Sequence, residues 1–515
     1  MEAYMNTKIQ SKGIVIIILL TAFSCSNSKR EKESSLDDLP NIVLLMGDDH
    51  GWDEVGYNGH PFVKTPVLDE MAASGLRFDR FYSGHSTCSP TRGSFITGRH
   101  PNRYGTFSPG WSIRPEEISI AHVLKKAGYA SAHFGKWHLG PVKKDSPTNP
   151  GAMGFDEWLS HDNFFELNPV LSRNGEAPQK IEGEGSEIII DETIRFIQKS
   201  EEQGKSFLVV VWFGSPHEPY SGLPGDLSLY ENLPDNLSNT EVGLTSKETG
   251  ERVIRPLRNV LQERYAEITA MDRAIGKLRS YLKENDLKKN TLIWYCGDNG
   301  TPPSAARTAM TLRGQKGNMY EGGVRVPGVI EWPAVIKEPE STSVISVTTD
   351  ILPTLAEITG QTLPERTLDG TSLVPFFNDP AKQRAKPLYF WSFNPDTVFN
   401  ESAQPYIDLK LQEGTTPLVK MLDGKFTRTF RNYQYDQVSE NDFTGERTMM
   451  KNQYKLIVEG QSPNEKGFEL YDLQNDRGET KNLADAYPEI VEEMQTQLHK
   501  WQESVLNSLT GADYK

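Results

Sequence analysis

The sequence contains few cysteines and fewer positive than negative charges. Three cysteines among 515 residues are too few for a disulfide framework. The 55 basic residues are outnumbered by 70 acidic ones, and the net charge of −15 argues against nucleic acid as the main partner, because duplex binding requires a basic face. An anionic substrate would therefore have to be held by local cations, against the repulsion of the whole chain.

The composition nevertheless indicates a globular protein. Hydrophobic residues make up 37% of the chain and charged residues 24%, which excludes a disordered chain and is sufficient for a sizeable core. A chain of this length is expected to form about three domains, or one large α/β domain with a smaller one.

The N-terminus is predicted to be an export signal. Lys8 and Lys12 precede an apolar run of ten residues at 14–23, whereas a membrane-spanning helix needs about 20. The following Cys25 resembles the lipidated cysteine of bacterial lipoproteins, and ordinary cleavage that discards it is the alternative. We predict a signal peptide over residues 1–24, a polar tether over 25–38, and an exported protein in the periplasm or at the cell surface.

Four short apolar runs predict parallel strands that are buried on both faces. They cover residues 41–46, 129–134, 207–213 and 291–296. Ligands of open α/β sheets collect beyond the carboxyl ends of the strands, so the polar residues that follow these runs predict a site at one sheet edge. Those residues are Asp48, Asp49, Lys136, His138, His217, Asp298 and Asn299.

Helical patterns alternate with the strands and predict a doubly wound α/β sheet flanked by helices, over residues 39–386. The clearest helix has apolar residues at steps of three and four over 261–282, and the irregular stretches 141–180 and 216–258 are predicted to be long loops. Residues 387–515 are predicted to form a second, smaller domain. Its strand patterns lie at 388–393, 454–458 and 468–471, and its helix at 488–506.

Cys88 is predicted to lie at the start of a helix. Pro90 fits the first helical position and Ser89 its cap, so Cys88 would lie where backbone N–H groups and the helix dipole favour an anion. Arg92, about one turn further along, can reach the same anion. The alternative for a lone cysteine near a turn is a buried structural residue.

Two motifs resemble the signatures of a known family. Cys88-Ser-Pro-Thr-Arg92, followed by Gly-Ser-Phe-Ile-Thr-Gly-Arg, is similar to the first signature of the type I sulfatases of the alkaline phosphatase superfamily, and residues 128–138 resemble the second. The resemblance covers residues 39–485 in order, with departures at Phe134 and Arg477. It implies a large mixed sheet of the alkaline phosphatase type, a small C-terminal α+β domain with an antiparallel sheet, and hydrolysis of sulfate esters.

The resemblance also implies two cofactors. In this family a formylglycine-generating maturation enzyme converts the cysteine at the position of Cys88 to formylglycine (3-oxoalanine), whose hydrate attacks sulfur and then expels sulfate. The family holds one calcium ion with the residues that match Asp48, Asp49, Cys88, Asp298 and Asn299. The four oxygen-bearing side chains of this set suit Ca²⁺ or Mg²⁺ rather than Zn²⁺.

The remaining catalytic roles follow from the same resemblance. Arg92 and Lys136 would stabilise the charge of the formylglycine and the sulfate, and His138 would handle the hydroxyl proton. His217 and Lys316 would contact the sulfate and help to protonate the leaving oxygen. Two histidines that titrate near neutral pH and three fixed cations are physically suited to these tasks.

The export signal suggests an extracellular sulfated oligosaccharide or polysaccharide as the substrate, either a glycosaminoglycan or an algal polysaccharide such as ulvan. Candidate sugar contacts, each of which could equally be structural, are Trp111, Trp158, His161 and Arg173.

Three cations at helical spacing predict either a clamp for a polyanion or a solvated face, and they are Lys425, Arg428 and Arg431. Cys296, at the end of an apolar strand, is predicted to be a buried, inert thiol.

Two other functions compete with this prediction. One is a phosphonate monoester or phosphodiester hydrolase of the same superfamily, which also uses formylglycine. The other is a lipoprotein that binds sulfated glycans without catalysis. The expected residue type is present at every catalytic position of the family, which argues against this second alternative.

Overall fold

A computed structural model describes residues 39–246, 249–305, 311–393, 403–417, 427–435, 437, 440–460 and 467–514. Residues 39–515 form one compact unit. The predicted signal peptide and tether, with Cys25, lie outside the described residues, and so does Lys425. Within the described ranges, no helix has both the length and the apolar character needed to cross a membrane.

The strands, in chain order, are β1 (Asn41–Gly47), β2 (Leu76–Phe78), β3 (Phe81–Tyr82), β4 (Ala130–Lys136), β5 (Glu157–His161), β6 (Val170–Arg173), β7 (Gln179–Lys180), β8 (Phe207–Trp212), β9 (Glu241–Thr245), β10 (Arg252–Pro256), β11 (Thr291–Gly297), β12 (Arg325–Val326), β13 (Gly328–Glu331), β14 (Glu340–Thr342), β15 (Ser346–Val347), β16 (Leu388–Trp391), β17 (Glu413–Pro417), β18 (Thr427–Thr429), β19 (Arg447–Lys451), β20 (Tyr454–Val458) and β21 (Phe468–Asp472). The α-helices are α1 (Pro66–Ser74), α2 (Cys88–Thr97), α3 (Ile120–Lys125), α4 (Gly185–Glu202), α5 (Pro224–Ser228), α6 (Leu257–Glu284), α7 (Glu321–Val324), α8 (Ile351–Ile358), α9 (Val374–Phe377) and α10 (Pro488–Leu509).

The large sheet is mixed, as the resemblance implied. Its strand order is β14-β2-β13-β11-β1-β8-β4-β5-β6-β7. The central strands β11, β1, β8, β4 and β5 are parallel, whereas β13 and β6 join them in the antiparallel sense. All four predicted strands are therefore confirmed as neighbours in the parallel centre of one sheet.

Helices cover both faces of this sheet, because the side chains of a strand point alternately to either side. Ile42 and Leu44 of β1 pack into a core with α2, α3 and α8. Val43 and Leu45 pack into a second core with α1, α4 and α6. The predicted doubly wound arrangement is confirmed, and the helix expected over 261–282 is the central part of α6.

The predicted long loops are partly wrong. Residues 141–180 contain β5, β6 and β7, and residues 216–258 contain α5, β9 and β10. These elements span only two to five residues each, too short for a hydrophobic period to be recognised.

The C-terminal residues form a four-stranded antiparallel sheet, β16-β19-β20-β21, with α10 packed against it. This sheet supports the segment that carries Lys316. Buried Lys455 of β20 lies 3.1 Å from Glu321 and 2.8 Å from Glu479. Arg313 donates a 2.7 Å hydrogen bond to the hydroxyl of Tyr471 on β21.

Candidate active site

The strand order places the carboxyl ends of β11, β1, β8 and β4 side by side. Gly47 and Gly297 are directly paired, so the residues that follow each of them, Asp48 and Asp298, are neighbours. Gly135 has a φ of +103°, and a Cβ there would lie 1.9 Å from the carbonyl oxygen of Trp212. Only glycine therefore permits β4 to approach β8 as it delivers Lys136 to the site.

Cys88 is the first residue of α2, so the prediction that this cysteine lies at a helix start is confirmed. The cap is Thr87 rather than Ser89, so Cys88 itself occupies the first helical position and Pro90 the third. The prediction of Ser89 as the cap is wrong because proline is tolerated throughout the first helical turn, where its missing N–H would have no partner in the helix. Cys88 is nevertheless placed where backbone N–H groups favour an anion, and its residue is only 2% exposed.

A buried network of charges surrounds Cys88. Arg92 donates to Asp298 at 2.6 Å and lies 3.4 Å from Asp48, and its guanidinium carbon is 5.1 Å from the ring centroid of Trp212. Lys136 contacts the other carboxylate oxygen of Asp48 at 2.7 Å. All four paired side chains are fully buried, so their charges act in a medium of low polarizability and hold one another in place.

Asp49 organises the other half of the site. Its backbone is left-handed, with φ of +61°. Its carboxylate accepts from Lys316 at 2.5 Å and from the amide nitrogen of Asn299 at 2.8 Å, and it lies 3.7 Å from Nε2 of His217. Its backbone N–H donates to Asp298 at 2.8 Å. The residues expected after three separate strands, together with Lys316, therefore meet at this carboxylate.

The electrostatics of the two halves differ. Burial acts to raise the pKa of Asp49, but Lys316, His217 and Lys136 outweigh it and lower the pKa below the usual range. For Asp298, burial and the neighbouring Asp48 outweigh the attraction of Arg92 and raise the pKa. Asp49 is therefore held as a carboxylate by its cations, whereas the repulsion between Asp48 and Asp298 works against the charge of Asp298.

The two histidines of the site are held in their neutral form. Burial and the adjacent Lys136 lower the pKa of His138 well below its usual value, and neither ring nitrogen of His138 has a hydrogen-bond partner. Burial also lowers the pKa of His217. Nδ1 of His217 lies 2.5 Å from the carbonyl of Glu218, the ring stacks on Phe164 at 4.6 Å, and Nε2 lies 3.5 Å from Lys316.

The oxygen donors fit a hard cation. Oδ1 of Asp48 and Oδ1 of Asn299 are buried without a hydrogen-bond partner, a costly state that a bound cation would relieve. Ligand atoms of Asp48, Cys88 and Asp298 lie within 4.8 Å of one another. A set of carboxylate and amide oxygens suits Ca²⁺ or Mg²⁺. The residues predicted as metal ligands are thus brought together, and the oxygens of Asp48 and Asn299 that lack a hydrogen bond fit that role, although Arg92 lies 3.4 Å from the one of Asp48.

One buried residue that supports the site was not predicted from the sequence. Arg264 of α6 is bound to Glu54 at 2.5 and 2.7 Å, and it donates to the carbonyls of Asp49 at 2.6 Å and Pro216 at 2.5 Å. It therefore fixes the backbone beside both Asp49 and His217. The available signal was an arginine on the apolar stripe of α6, where a charge needs a buried partner.

Arg264→Lys is expected to lower kcat/KM about 10- to 100-fold, because one ammonium group cannot hold Glu54 and two carbonyls, and small displacements of catalytic groups are costly. Steady-state kinetics with a thermal melt would measure this. Arg279→Lys is the matched control. It lies on the same helix and pairs with Glu331, which lies opposite Ile293 of β11, away from the carboxyl end. Equal losses of activity in both variants would contradict a positioning role for Arg264.

Three of the four candidate sugar contacts are buried, and the fourth is exposed. Trp111 lies in the C-terminal core at 1% exposure, and the indole nitrogen of Trp158 donates to the carbonyl of Val142. His161 is buried at the end of β5, and Arg173 pairs with Glu192. Burial favours the structural alternative for Trp111, Trp158 and His161, whereas the side chain of Arg173 is 47% exposed and both alternatives stay open for it. Aromatic and charged residues in loops do not reveal by sequence whether they face solvent or the core.

The helical spacing assumed for the predicted clamp is wrong. Thr427–Thr429 is the strand β18, so Arg428 does not lie on a helix face with its two partners. Arg431 places its guanidinium carbon 4.4 Å from the ring centroid of Trp111. Cys296 is confirmed as buried, and burial raises the pKa of its thiol, which disfavours the reactive thiolate.

Comparison with known proteins agrees with this geometry. The Sulfatase family model matches residues 40–361. Arylsulfatase A of Homo sapiens is 32% identical over 380 residues, which cover 70% of this chain and 72% of that protein. The ulvan-active sulfatase of Formosa agariphila is 28% identical over 376 residues, which cover 72% of this chain and 71% of that protein.

A solved structure shares the fold. The structure of BT4656 in complex with its substrate D-glucosamine-2-N,6-O-disulfate has a TM-score of 0.67 at 19% identity, and the match covers 93% of this chain and 100% of that one. The family model spans more than half of the chain, and the site at the sheet edge contains the residues that the signature motifs predicted. The protein therefore belongs to the sulfatase family of the alkaline phosphatase superfamily and is a sulfuric ester hydrolase.

Proposed function

We propose that this protein removes sulfate from an extracellular sulfated saccharide, with formylglycine formed from Cys88 as the nucleophile and one calcium ion as the metal. The observation that carries the proposal is the position of Cys88. Cys88 is the first residue of a buried helix. Its sulfur atom lies in one cluster with carboxylate oxygens of Asp48 and Asp298, which are paired with the cations of Arg92 and Lys136.

The substrate class is supported by two similar proteins. One is named an ulvan-active sulfatase, and the other was solved with a disulfated glucosamine as its substrate. The predicted export signal agrees with a polymer outside the cytoplasm. We propose a lipid anchor at Cys25 and a location in the periplasm or at the cell surface. Mass spectrometry of the mature N-terminus distinguishes this anchor from ordinary cleavage.

The residues around Cys88 support both proposed cofactors. Asp48, Asp49, Asp298 and Asn299 would hold Ca²⁺ together with residue 88. When present, the metal supplies Lewis-acid stabilisation of sulfate oxygens, and the hydrated aldehyde supplies a hydroxyl nucleophile that a thiol cannot replace.

The side chains around this centre have separable tasks. Arg92 and Lys136 are fixed cations that stabilise negative charge as it develops on the sulfate, without reorganising during the reaction. His138 is neutral with both ring nitrogens unpaired, so it can accept the hydroxyl proton at residue 88.

His217 and Lys316 act on the leaving group. The contact of Nδ1 with the carbonyl of Glu218 requires the proton to lie on Nδ1, because a carbonyl only accepts. Nε2 of the neutral ring then carries no proton and can only accept, so the proton for the leaving oxygen is donated by the ammonium group of Lys316. Lys316 lies 3.5 Å from Nε2, and although burial opposes its charge, Asp49 outweighs burial and raises its pKa. The lysine therefore stays charged and assists protonation of the leaving oxygen.

Parallel kinetics test the reaction class. Protein from a host with a formylglycine-generating enzyme should hydrolyse an aryl sulfate with a kcat/KM at least about 100-fold above that for the matching aryl phosphodiester and phosphonate monoester. A panel of defined sulfated oligosaccharides then identifies the sugar. Faster phosphoester or phosphonate hydrolysis would favour the alternative hydrolase, and binding of sulfated glycans without any turnover would favour a non-catalytic lipoprotein.

A further inference from the structure

A hairpin from the C-terminal part of the chain forms one wall of the active site. In this hairpin β17 pairs with β18, with Glu413 opposite Thr429 and Pro417 opposite Thr427. The chain beyond β18 continues to buried Phe430, whose ring centroid lies 6.3 Å from that of His138. The hairpin thus reaches the proposed proton acceptor of the reaction.

Asp162 fastens this hairpin to the large sheet. The residue follows β5 and is 1% exposed. Its carboxylate accepts backbone N–H groups of Val142 at 2.7 Å, of Thr415 at 2.5 Å and of Thr416 at 2.8 Å. The other side of the hairpin is held by Arg431, whose backbone N–H donates to the carbonyl of Gly110 at 3.0 Å. The hairpin is therefore held in place by Asp162 and by the backbone of Gly110.

Arg428 is the cation that this hairpin presents. One terminal nitrogen of its guanidinium lies 3.4 Å from the Cβ position of Gly110. Its Nε is buried without a hydrogen-bond partner, and among the described residues no carboxylate forms an ion pair with the side chain. Burial lowers the pKa of Arg428 more than the nearby Cys88 and Asp162 raise it. The arginine remains charged, since its ordinary pKa is above 12, but its charge is poorly compensated.

This cation differs from those assigned to the scissile sulfate. Arg92, Lys136 and Lys316 are each bound to a carboxylate at the sheet edge. Arg428 has no contact with those carboxylates and lies on the side of His138 and Phe430. We infer that Arg428 binds a second anionic group of the substrate, a carboxylate or a further sulfate ester on the saccharide that carries the scissile sulfate. This inference rests on the proposed saccharide substrate.

Calorimetry separates this role from catalysis. Binding is measured to the calcium-supplied Cys88→Ser variant, which cannot turn over substrate by the proposed route. Two matched pairs of ligands serve as probes. The first pair is a sulfate ester of glucuronic acid and the same ester of glucose, which differ by a carboxylate. The second pair is N-acetylgalactosamine 4,6-disulfate and its 4-sulfate, which differ by one sulfate. In at least one of the two pairs, the ligand with the extra anionic group should bind at least about tenfold more tightly than the ligand without it. The pair that shows the difference identifies the second anion as carboxylate or sulfate.

Arg428→Met in the Cys88→Ser background should abolish the preference for the doubly charged ligand. The affinity for that ligand alone should fall by about 10- to 100-fold, because one charge-assisted hydrogen bond is lost. Arg428→Lys should restore part of it at low salt. Arg431→Met is the matched control and should leave the preference unchanged. An unchanged melting temperature would show that the hairpin is intact.

Three results would overturn the inference. The first is equal affinity for both ligands in each pair before Arg428 is changed, and the second is a preference for the doubly charged ligand that survives Arg428→Met. The third is an equal loss of affinity for singly and doubly charged ligands, which would place Arg428 on the scissile sulfate. Turnover of an aryl sulfate by the unmodified chain is measured separately. Failure of that turnover would count against the proposed function and not against the role of Arg428.

Discussion

Replacing Cys88 by alanine should reduce kcat for sulfate ester hydrolysis by about 10⁴-fold or more, because the variant cannot form the proposed nucleophile. The protein should still fold. Cys88 lies at the end of the sheet and begins α2, and its replacement removes only one sulfur atom from the site. Steady-state kinetics and a thermal melt on the purified variant measure both effects.

Cys296→Ala provides the matched control, since it removes the same atom from another fully buried cysteine. It should lower stability by about 1 kcal/mol through the small cavity and leave kcat nearly unchanged. Mass spectrometry of the peptide around residue 88 should show an aldehyde in the active wild type. Full activity in Cys88→Ala, or an unmodified thiol in fully active protein, would disprove the assignment of the nucleophile.

Removal of the metal should have an effect of similar size. Asp298→Asn keeps the shape of the side chain but removes one negative charge, and it leaves Arg92 with a weaker partner. We expect kcat to fall by about 10²- to 10⁴-fold and the affinity for calcium to drop. Chelation should inactivate the wild type, and Ca²⁺ should restore activity more effectively than Zn²⁺.

Asp53→Asn is the control for this substitution. It makes the same chemical change in a buried aspartate close to the site, where burial and the adjacent Glu54 raise the pKa to about 7. Because about half of the molecules carry this carboxyl group protonated at pH 7, its neutral amide should be tolerated. Full activity after thorough metal removal, or equal losses in both variants, would show that Asp298 has no special role as a ligand.

The sequence predicted the centre of the molecule well because its signals are local. The strands β1, β8 and β11 are continuous apolar runs, and β4 is apolar at alternate positions up to Phe134. The catalytic side chains lie at the ends of these strands or within a few residues after them. Since parallel strands share one edge, their neighbours Asp48, Lys136, His217 and Asp298 had to be close if the strands were adjacent. The motif around Cys88 predicted the helix start, although not its cap.

The supporting residues could not be predicted because their contacts span large distances in the chain. Arg264 lies about 210 residues from Glu54, its main partner. Arg428 was placed by spacing on a helix, whereas the β-branched residues on either side of it, Thr427 and Thr429, favour the strand that is observed. Its approach to His138 depends on Asp162, and no local pattern links these three positions.

The burial of α2 constrains the biogenesis of the enzyme. All ten residues of this helix, from Cys88 to Thr97, are buried between the sheet and its neighbours. Cys88 is only 2% exposed in the folded chain, so a modifying enzyme has no access to it once this segment is helical and covered. The proposed conversion of Cys88 must therefore occur while the chain is still unfolded, during or soon after synthesis. On this proposal, the amount of active enzyme would depend on the relative rates of modification and folding, and molecules that fold first would stay inactive.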